Sequence, residues 1–145
     1  DLGGGQPGYR SQRLYPINRI MAKFAKDCNV ATYINVDNGL PDPIYENDLE
    51  GLHIIDIRED MLSFVARMKD GSASFTLSGI WLRSQGDHRY FRALEEEIVR
   101  ATRKGGIIFE TDSDVDFRRF VDIEQAPLKR VQVELPNHAF LYERI

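Results

Sequence analysis

Two aspartates are the residues whose type and spacing best suit chemistry, in the run Ser113-Asp114-Val115-Asp116-Phe117. On a β-strand, residues i and i+2 project to the same side, so the two carboxylates would lie next to each other. Such a pair can hold a divalent cation, because Mg²⁺ prefers oxygen ligands. An ion held in this way can orient a triphosphate and activate an attacking hydroxyl.

This run resembles the carboxylate strand of the nucleotidyltransferase superfamily, in which two aspartates bind metal and a later strand supplies a third acidic residue. The resemblance implies a Mg²⁺ or Mn²⁺ site made by Asp114, Asp116 and Glu134, and a metal-dependent transfer of a nucleotidyl or phosphoryl group. It is confined to residues 113–117, and the family's earlier Gly-Ser pair has no counterpart, since isoleucine follows Gly105-Gly106. A transferase is therefore the alternative function and not the leading hypothesis.

Spacing excludes several other catalytic and metal-binding patterns. Asp112, Asp114 and Asp116 imitate the start of a calcium-binding loop, but Phe117 occupies the sixth position, where glycine is needed. The three histidines are far apart in sequence, and no nucleophile elbow, phosphate-binding loop or dinucleotide-binding motif occurs. Cys28 is the single cysteine, which excludes an intramolecular disulfide and a cysteine-rich zinc site. Whether the chain is an enzyme is thus left open.

Composition and charge limit the class of protein. The chain has 145 residues, of which 42% are hydrophobic and 29% charged, values typical of one soluble domain with a packed core. A net charge of −4 argues against non-specific binding of nucleic acid. No apolar run approaches the roughly 18 residues of a membrane-spanning helix. A single thiol and the lack of a signal-peptide pattern favour the cytoplasm.

The hydrophobic pattern predicts the elements that must position these residues. Helices are predicted over 16–28 and 87–104, and strands over 30–36, 52–57 and 107–110, with a hairpin over 128–142. The Asp70-Gly71 pair favours another β-hairpin within 61–83, and a helix over 59–69 is the competing prediction. This order predicts an α+β fold, in which about five to seven strands form an antiparallel sheet and two main helices pack on one face.

Periodicity also predicts details of the second helix and of the core. Asp87 is predicted to cap the helix, Glu96 and Arg100 to form an i,i+4 pair, and Glu95-Glu96-Glu97 to be a solvated face. The predicted core consists of Phe24, Phe64, Phe75, Leu77, Trp81, Phe91, Leu94, Ile98, Ile108, Val131 and Val133.

Two segments of unusual composition are the predicted contact sites. Residues 1–14 are glycine-rich and predict a flexible arm ahead of a single domain over 15–145. Residues 37–50 predict an exposed acidic loop. Between residues 36 and 60 there are eight acidic residues and one basic residue, a net charge of −7. Charge segregation of this kind suits complementary contacts between proteins.

The leading hypothesis is therefore a non-catalytic protein- or ligand-binding module, with an assembly or regulatory role and no cofactor. We expect a protein partner or self-association, with a small ligand as the other class of partner. Neither a membrane nor a nucleic acid is indicated. The predicted partner-binding residues are Tyr9, Arg10, Arg13, Asp42, Glu46, Asp48 and Glu50.

The transferase alternative makes its own testable prediction. Mn²⁺ together with nucleoside triphosphates should raise the melting temperature, because a ligand that binds only the folded state stabilises it by mass action. The double variant Asp114→Asn with Asp116→Asn should lose this rise in thermal denaturation. The alternative is rejected if the double variant binds the metal as the parent protein does.

Overall fold

The computed structural model describes residues 2, 26–27, 29–40, 44–49, 51–78, 87–111, 126–132 and 140–145. The strands in these ranges are β1 (Thr32–Val36), β2 (Ile44–Leu49), β3 (Leu52–Ile57), β4 (Phe75–Ser78), β5 (Ile107–Thr111), β6 (Leu128–Arg130) and β7 (Phe140–Arg144). The helices are α1 (Met61–Ala66) and α2 (His88–Ala101). The chain separates into two compact units, Asp1–Met61 and Leu62–Ile145. The prediction of one domain over 15–145 stays a prediction.

The first unit contains a three-stranded sheet with strand order β1-β3-β2. β1 and β3 run parallel, with Tyr33 opposite Ile54, whereas β2 runs antiparallel to β3. β2 and β3 are connected through Gly51, whose φ of +88° favours glycine. The prediction of an exposed loop over 37–50 is wrong for residues 44–49, because these residues pair along the whole of β3. The charged residues in this segment led to the prediction of a loop, whereas pairing with the more apolar strand β3 makes the segment a strand.

The strand predicted over 30–36 is confirmed as β1. After β1, the Asp37 carboxylate accepts a hydrogen bond from the Gly39 N–H at 2.7 Å and so forms an Asx turn. Leu2 lies within the predicted flexible arm, yet it is 1% exposed and forms a parallel bridge with Val36. The described core of this unit comprises Leu2, Tyr33, Val36, Leu40, Leu52 and Ile54.

The second unit contains a four-stranded sheet with strand order β4-β5-β7-β6. β4 and β5 are parallel, as expected for strands that are connected through a helix, while the pairs β5–β7 and β6–β7 are antiparallel. The hairpin predicted over 128–142 is confirmed in the pairing of β6 with β7. The structure is therefore α+β, but its described strands form two mixed sheets. The single antiparallel sheet of five to seven strands is not what these residues form.

The hairpin predicted within 61–83 is wrong, and the competing helix is present as α1. The helical spacing of Met61, Phe64 and Val65 decides the outcome, because Val65 is fully buried. Asp70-Gly71 is still a turn, in which Gly71 has φ +63°. The chain does not return antiparallel after it. Instead, the backbone N–H groups of residues 71–73 donate to carbonyls at the end of α2.

The capped N-terminus and apolar stripe predicted for α2 are confirmed. The Asp87 carboxylate accepts from the Arg89 N–H at 2.9 Å, and the buried positions include Phe91, Leu94, Ile98 and Ala101. The helix ends at Ala101, three residues before the predicted end. The Thr102 N–H still donates to the Ile98 carbonyl, but that of Arg103 donates to the Ala73 carbonyl at 2.8 Å. This contact draws the chain out of the helix before Gly105-Gly106.

Two predictions for the charged residues of α2 are wrong. Glu96 pairs with Arg92 and not with Arg100, whose partners are Glu97 and Asp70. Glu95 is fully buried, so Glu95-Glu96-Glu97 is not a uniformly solvated face. The helical spacing explains the burial, because Glu95 lies four residues after Phe91 and three before Ile98.

The core prediction is confirmed for most of the residues that are described. Phe75, Leu77, Phe91, Leu94, Ile98 and Ile108 are buried. Phe64 and Val131 are half-buried, and Phe24, Trp81 and Val133 lie outside the described residues. Of the helix predicted over 16–28, Lys26 and Asp27 are helical, and the other residues lie outside the described part of the chain.

The guanidinium of Arg100 joins the end of α1 to α2. It donates to the backbone carbonyls of Val65 at 3.1 Å and Met68 at 2.9 Å. It also donates to the carboxylates of Glu97, at 2.6 Å, and Asp70. Hydrogen bonds to Glu97 and then to Asp70 raise the pKa of Arg100 above its ordinary value, so the cation is permanent. A cation at this position suits the negative end of α1.

Replacing Arg100 by alanine should lower the melting temperature by several degrees, because four polar groups lose their common donor. The matched control is Arg92→Ala, which removes an exposed i,i+4 pair from the same helix and should change stability by no more than about 0.5 kcal/mol. Thermal unfolding followed by circular dichroism measures both variants. Equal effects would show that Arg100 acts only as a surface charge.

Candidate functional site

The structure describes two of the predicted site residues, Glu46 and Asp48, and places both on β2. The other predicted site residues lie outside the described residues, so they stay predictions. They are Tyr9, Arg10, Arg13, Asp42, Glu50, Asp114, Asp116 and Glu134. Among the residues that are described, no three His, Cys, Asp or Glu side chains are grouped so as to hold a metal ion. The site with the clearest physical character in the described part of the chain is therefore the acidic strand β2.

β2 forms one border of the three-stranded sheet. β3 lies on one side of it, and no other described strand pairs with its opposite side. A border strand presents a row of backbone N–H and C=O groups that can pair with another extended chain. The strand Ile44–Leu49 contains two acidic residues, Glu46 and Asp48, two positions apart in its sequence. We refer to Ile44–Leu49 as the β2 edge.

Charge is divided unevenly between the two units. Residues 1–61 contain ten acidic and six basic residues, whereas residues 62–145 contain thirteen of each. The whole net charge of −4 thus belongs to the first unit, and it is concentrated around the strands of its sheet. A field of one sign steers oppositely charged partners toward a surface and raises their rate of encounter.

Asn35 and Asp56 form a polar pair near the carboxyl ends of the parallel strands β1 and β3. They are opposite each other in the register, and the Asn35 Nδ2 donates to the Asp56 Oδ1 at 2.9 Å. Asn35 is fully buried, and its Oδ1 atom has no hydrogen-bond partner among the described residues. Burial raises the pKa of the half-buried Asp56 carboxyl above 3.8, and the hydrogen bond from Asn35 opposes this shift.

Sequence reasoning missed this polar pair, although a signal was present. Asn35 interrupts the apolar run of β1, and Asp56 interrupts the apolar run of β3. A polar residue inside a buried strand requires a hydrogen-bond partner, which a neighbouring strand can supply. What the sequence lacked was the parallel register that makes the two residues opposite each other.

Two carboxylates in the second unit are also buried, namely Glu95 on α2 and Glu110 on β5. Glu110 lies opposite Leu77 on one neighbouring strand and Phe140 on the other. It shares a strand face with Ile108, two residues earlier, which is fully buried as well. Sequence reasoning assigned 107–110 to a strand but did not single out its final glutamate.

β6 forms a border of the four-stranded sheet and has the opposite charge to the β2 edge. Lys129 and Arg130 are both exposed on this strand. The guanidinium of Arg130 lies 4.9 Å from the centre of the Phe140 ring, a cation–π distance that holds the arginine against the sheet. No further described strand pairs with the outer side of β6. We refer to residues 128–132 as the β6 edge.

Comparison with known proteins adds no family to this description. No protein-family model matches the sequence, and no curated protein is significantly similar to it. Among the described residues, no helix combines the length and apolar character required to cross a membrane.

The Asn35–Asp56 pair predicts a pH-dependent stability. A carboxyl whose pKa is raised by folding destabilises the folded state at neutral pH, and this cost is relieved as the pH falls through the folded pKa toward 3.8. Asp56→Asn should therefore increase the free energy of unfolding at pH 7 by less than about 1 kcal/mol, since water screens the exposed part of the carboxyl.

Urea unfolding of the parent protein and of Asp56→Asn at a series of pH values measures this difference. The advantage of the variant should shrink as the pH approaches 4. Asp27→Asn, which changes an exposed aspartate, serves as the control and should show no advantage at pH 7. A constant difference between parent and Asp56→Asn at all pH values would contradict the assignment.

Proposed function

We propose that this chain is a non-catalytic binding module, and that its β2 edge pairs with a basic, extended segment of a protein partner. The observation that carries the proposal is the acidic border strand of the three-stranded sheet, paired on one side by β3. Binding of this type adds a strand to a sheet. Backbone hydrogen bonds supply affinity, and the side chains that flank them supply specificity.

The charge of the β2 edge favours a basic partner over an uncharged one. Opposite charges across paired strands are favourable, and like charges directly opposite each other are destabilising. The same acidic residues disfavour pairing of the β2 edge with a second β2 edge, which is a common way in which border strands avoid aggregation. Glu46 and Asp48 therefore favour pairing with a basic strand and disfavour pairing with a second β2 edge.

A short synthetic peptide of alternating valine and lysine, blocked at both ends, is a direct probe of this proposal. It should bind the parent protein in a fluorescence anisotropy titration, and its affinity should fall as salt is added, because exposed charges are screened. The corresponding valine–glutamate peptide should not bind. Backbone pairing is tested separately by N-methylating every second amide of the valine–lysine peptide in either register, and one of the two registers should abolish binding.

The variant Glu46→Lys with Asp48→Lys should weaken binding of the valine–lysine peptide by at least about tenfold. The control Asp27→Lys with Glu96→Lys makes the same change in net charge at exposed positions that are not part of β2, and should retain affinity within about twofold. Equal losses of affinity in both double variants would show that the peptide is bound by general charge attraction and not by the β2 edge. Full affinity in the β2 variant would overturn the proposal.

A further inference from the structure

Two dipeptides in the chain have the sequence that most readily closes into a cyclic imide, namely Asn38-Gly39 and Asp70-Gly71. In this reaction the backbone nitrogen of the glycine attacks the side-chain carbonyl carbon of the residue before it. Glycine favours the attack because it has no side chain to obstruct a close approach. A neutral amide is a better electrophile than an ionised carboxylate, so the asparagine is chemically the more reactive of the two.

The contacts of Asp70-Gly71 hold both of its reacting groups. The Asp70 carboxylate forms an ion pair with the Arg100 guanidinium. The Gly71 N–H donates to the Arg100 carbonyl at 3.1 Å. The electrophile and the nucleophile are thus both bound to one residue of α2, which leaves Asn38-Gly39 as the candidate site.

Asn38 lies in the turn that follows β1 and is exposed, whereas Val36 and Leu40 on either side of the turn are buried. The Asp37 N–H donates to the Ile57 carbonyl at 3.1 Å, and the Leu40 N–H donates to the Asp37 carbonyl at 3.4 Å. The turn is therefore anchored to the sheet, while its exposed asparagine is in contact with water.

The Asp37 carboxylate holds the nucleophile of this pair, since it accepts a hydrogen bond from the Gly39 N–H at 2.7 Å. To attack, the Gly39 nitrogen must lose its proton and turn toward the Cγ atom of Asn38. The hydrogen bond opposes both changes, because a bond to a carboxylate is stronger than one between neutral groups. The negative charge of the carboxylate also disfavours a second negative charge on the nitrogen.

We propose that Asn38 is a site of spontaneous deamidation, and that the Asp37 carboxylate keeps the reaction slow in the folded protein. A bond forms between the Gly39 nitrogen and the Asn38 Cγ atom, and the side-chain nitrogen leaves as ammonia with the proton that Gly39 loses. Water then opens the cyclic imide at either carbonyl and gives aspartate or isoaspartate. The net reaction consumes water and releases ammonia.

Deamidation changes both the charge and the backbone of this turn. The product has one more negative charge, in the unit to which the whole net charge of −4 already belongs. Isoaspartate also adds a carbon atom to the backbone between the buried residues Val36 and Leu40. The deamidated protein should therefore be retained more strongly than the parent in anion-exchange chromatography. Deamidation at this turn does not depend on the binding proposed for the β2 edge.

Incubation of the parent protein and of Asp37→Ala at mildly alkaline pH, followed by peptide mass spectrometry, tests the restraint. Replacement of NH₂ by OH raises the mass of the peptide, and water enriched in heavy oxygen labels the product. Asp37→Ala should deamidate at Asn38 at least about fivefold faster than the parent, because it loses a charge-assisted hydrogen bond. Equal rates, with circular dichroism showing that both proteins are folded, would overturn restraint by Asp37.

Two control variants separate the hydrogen bond from other effects of the substitution. Asp37→Asn keeps a side-chain carbonyl that can accept the same bond, so it should deamidate at Asn38 more slowly than Asp37→Ala. Fragmentation of the peptide distinguishes a mass change at position 38 from one at position 37. Asp27→Ala, which removes an exposed aspartate outside the turn, should react as the parent does. A rate for Asp37→Asn equal to that of Asp37→Ala would overturn the hydrogen bond as the restraint.

The reactive site is tested separately in guanidinium chloride, where the turn is lost. Asn38 should then deamidate faster than in the folded parent protein. It should also react faster than Asn29, Asn35 and Asn47, which belong to the same tryptic peptide, 27–58, and have no glycine after them. Asn38→Gln should lose the more acidic species in anion exchange. Similar rates at all four asparagines, or no acceleration on unfolding, would overturn the assignment of the site.

Discussion

The folded arrangement of the second unit depends on how the carbonyl groups at the ends of its two helices are satisfied. A helix leaves its last carbonyls without partners inside the helix, and burying them without a donor is costly. Arg100 supplies donors to the end of α1. The Arg144 guanidinium in turn donates to the carbonyls of Arg100, at 2.9 Å, and Thr102. Two arginines far apart in sequence thereby connect both helix ends to β7.

This arrangement explains why the Asp70-Gly71 turn does not produce a hairpin. The Gly71 N–H donates to the Arg100 carbonyl at 3.1 Å, and the Ser72 N–H donates to the Ala101 carbonyl at 2.9 Å. These are groups that a hairpin would have used across its own strands. Because the end of α2 accepts them instead, the chain after the turn is directed into β4, alongside β5.

Local patterns predicted much of the fold, and long-range pairing accounts for most of the errors. The cap at Asp87, the stripe of α2 and the strand at 52–57 each depend on neighbouring residues, so the sequence predicted them correctly. The contacts of Arg100 with residues 65–70 and the parallel register of Asn35 with Asp56 depend on residues more than twenty positions apart. Periodicity carries no information about such pairs. For the candidate site, the sequence indicated the acidic character of residues 44–49 but not that they form a border strand.

The order of strands in the four-stranded sheet has a consequence for the way the protein is synthesised. β7 is the last described strand along the chain, yet it lies inside the sheet, between β5 and β6. While a ribosome is still making the chain, β4, α2 and β5 can associate, but β6 has no neighbour in this sheet until β7 has emerged. The basic strand therefore has no neighbour in this sheet while residues 131–144 are being made. Its charges help to keep it in solution during that interval.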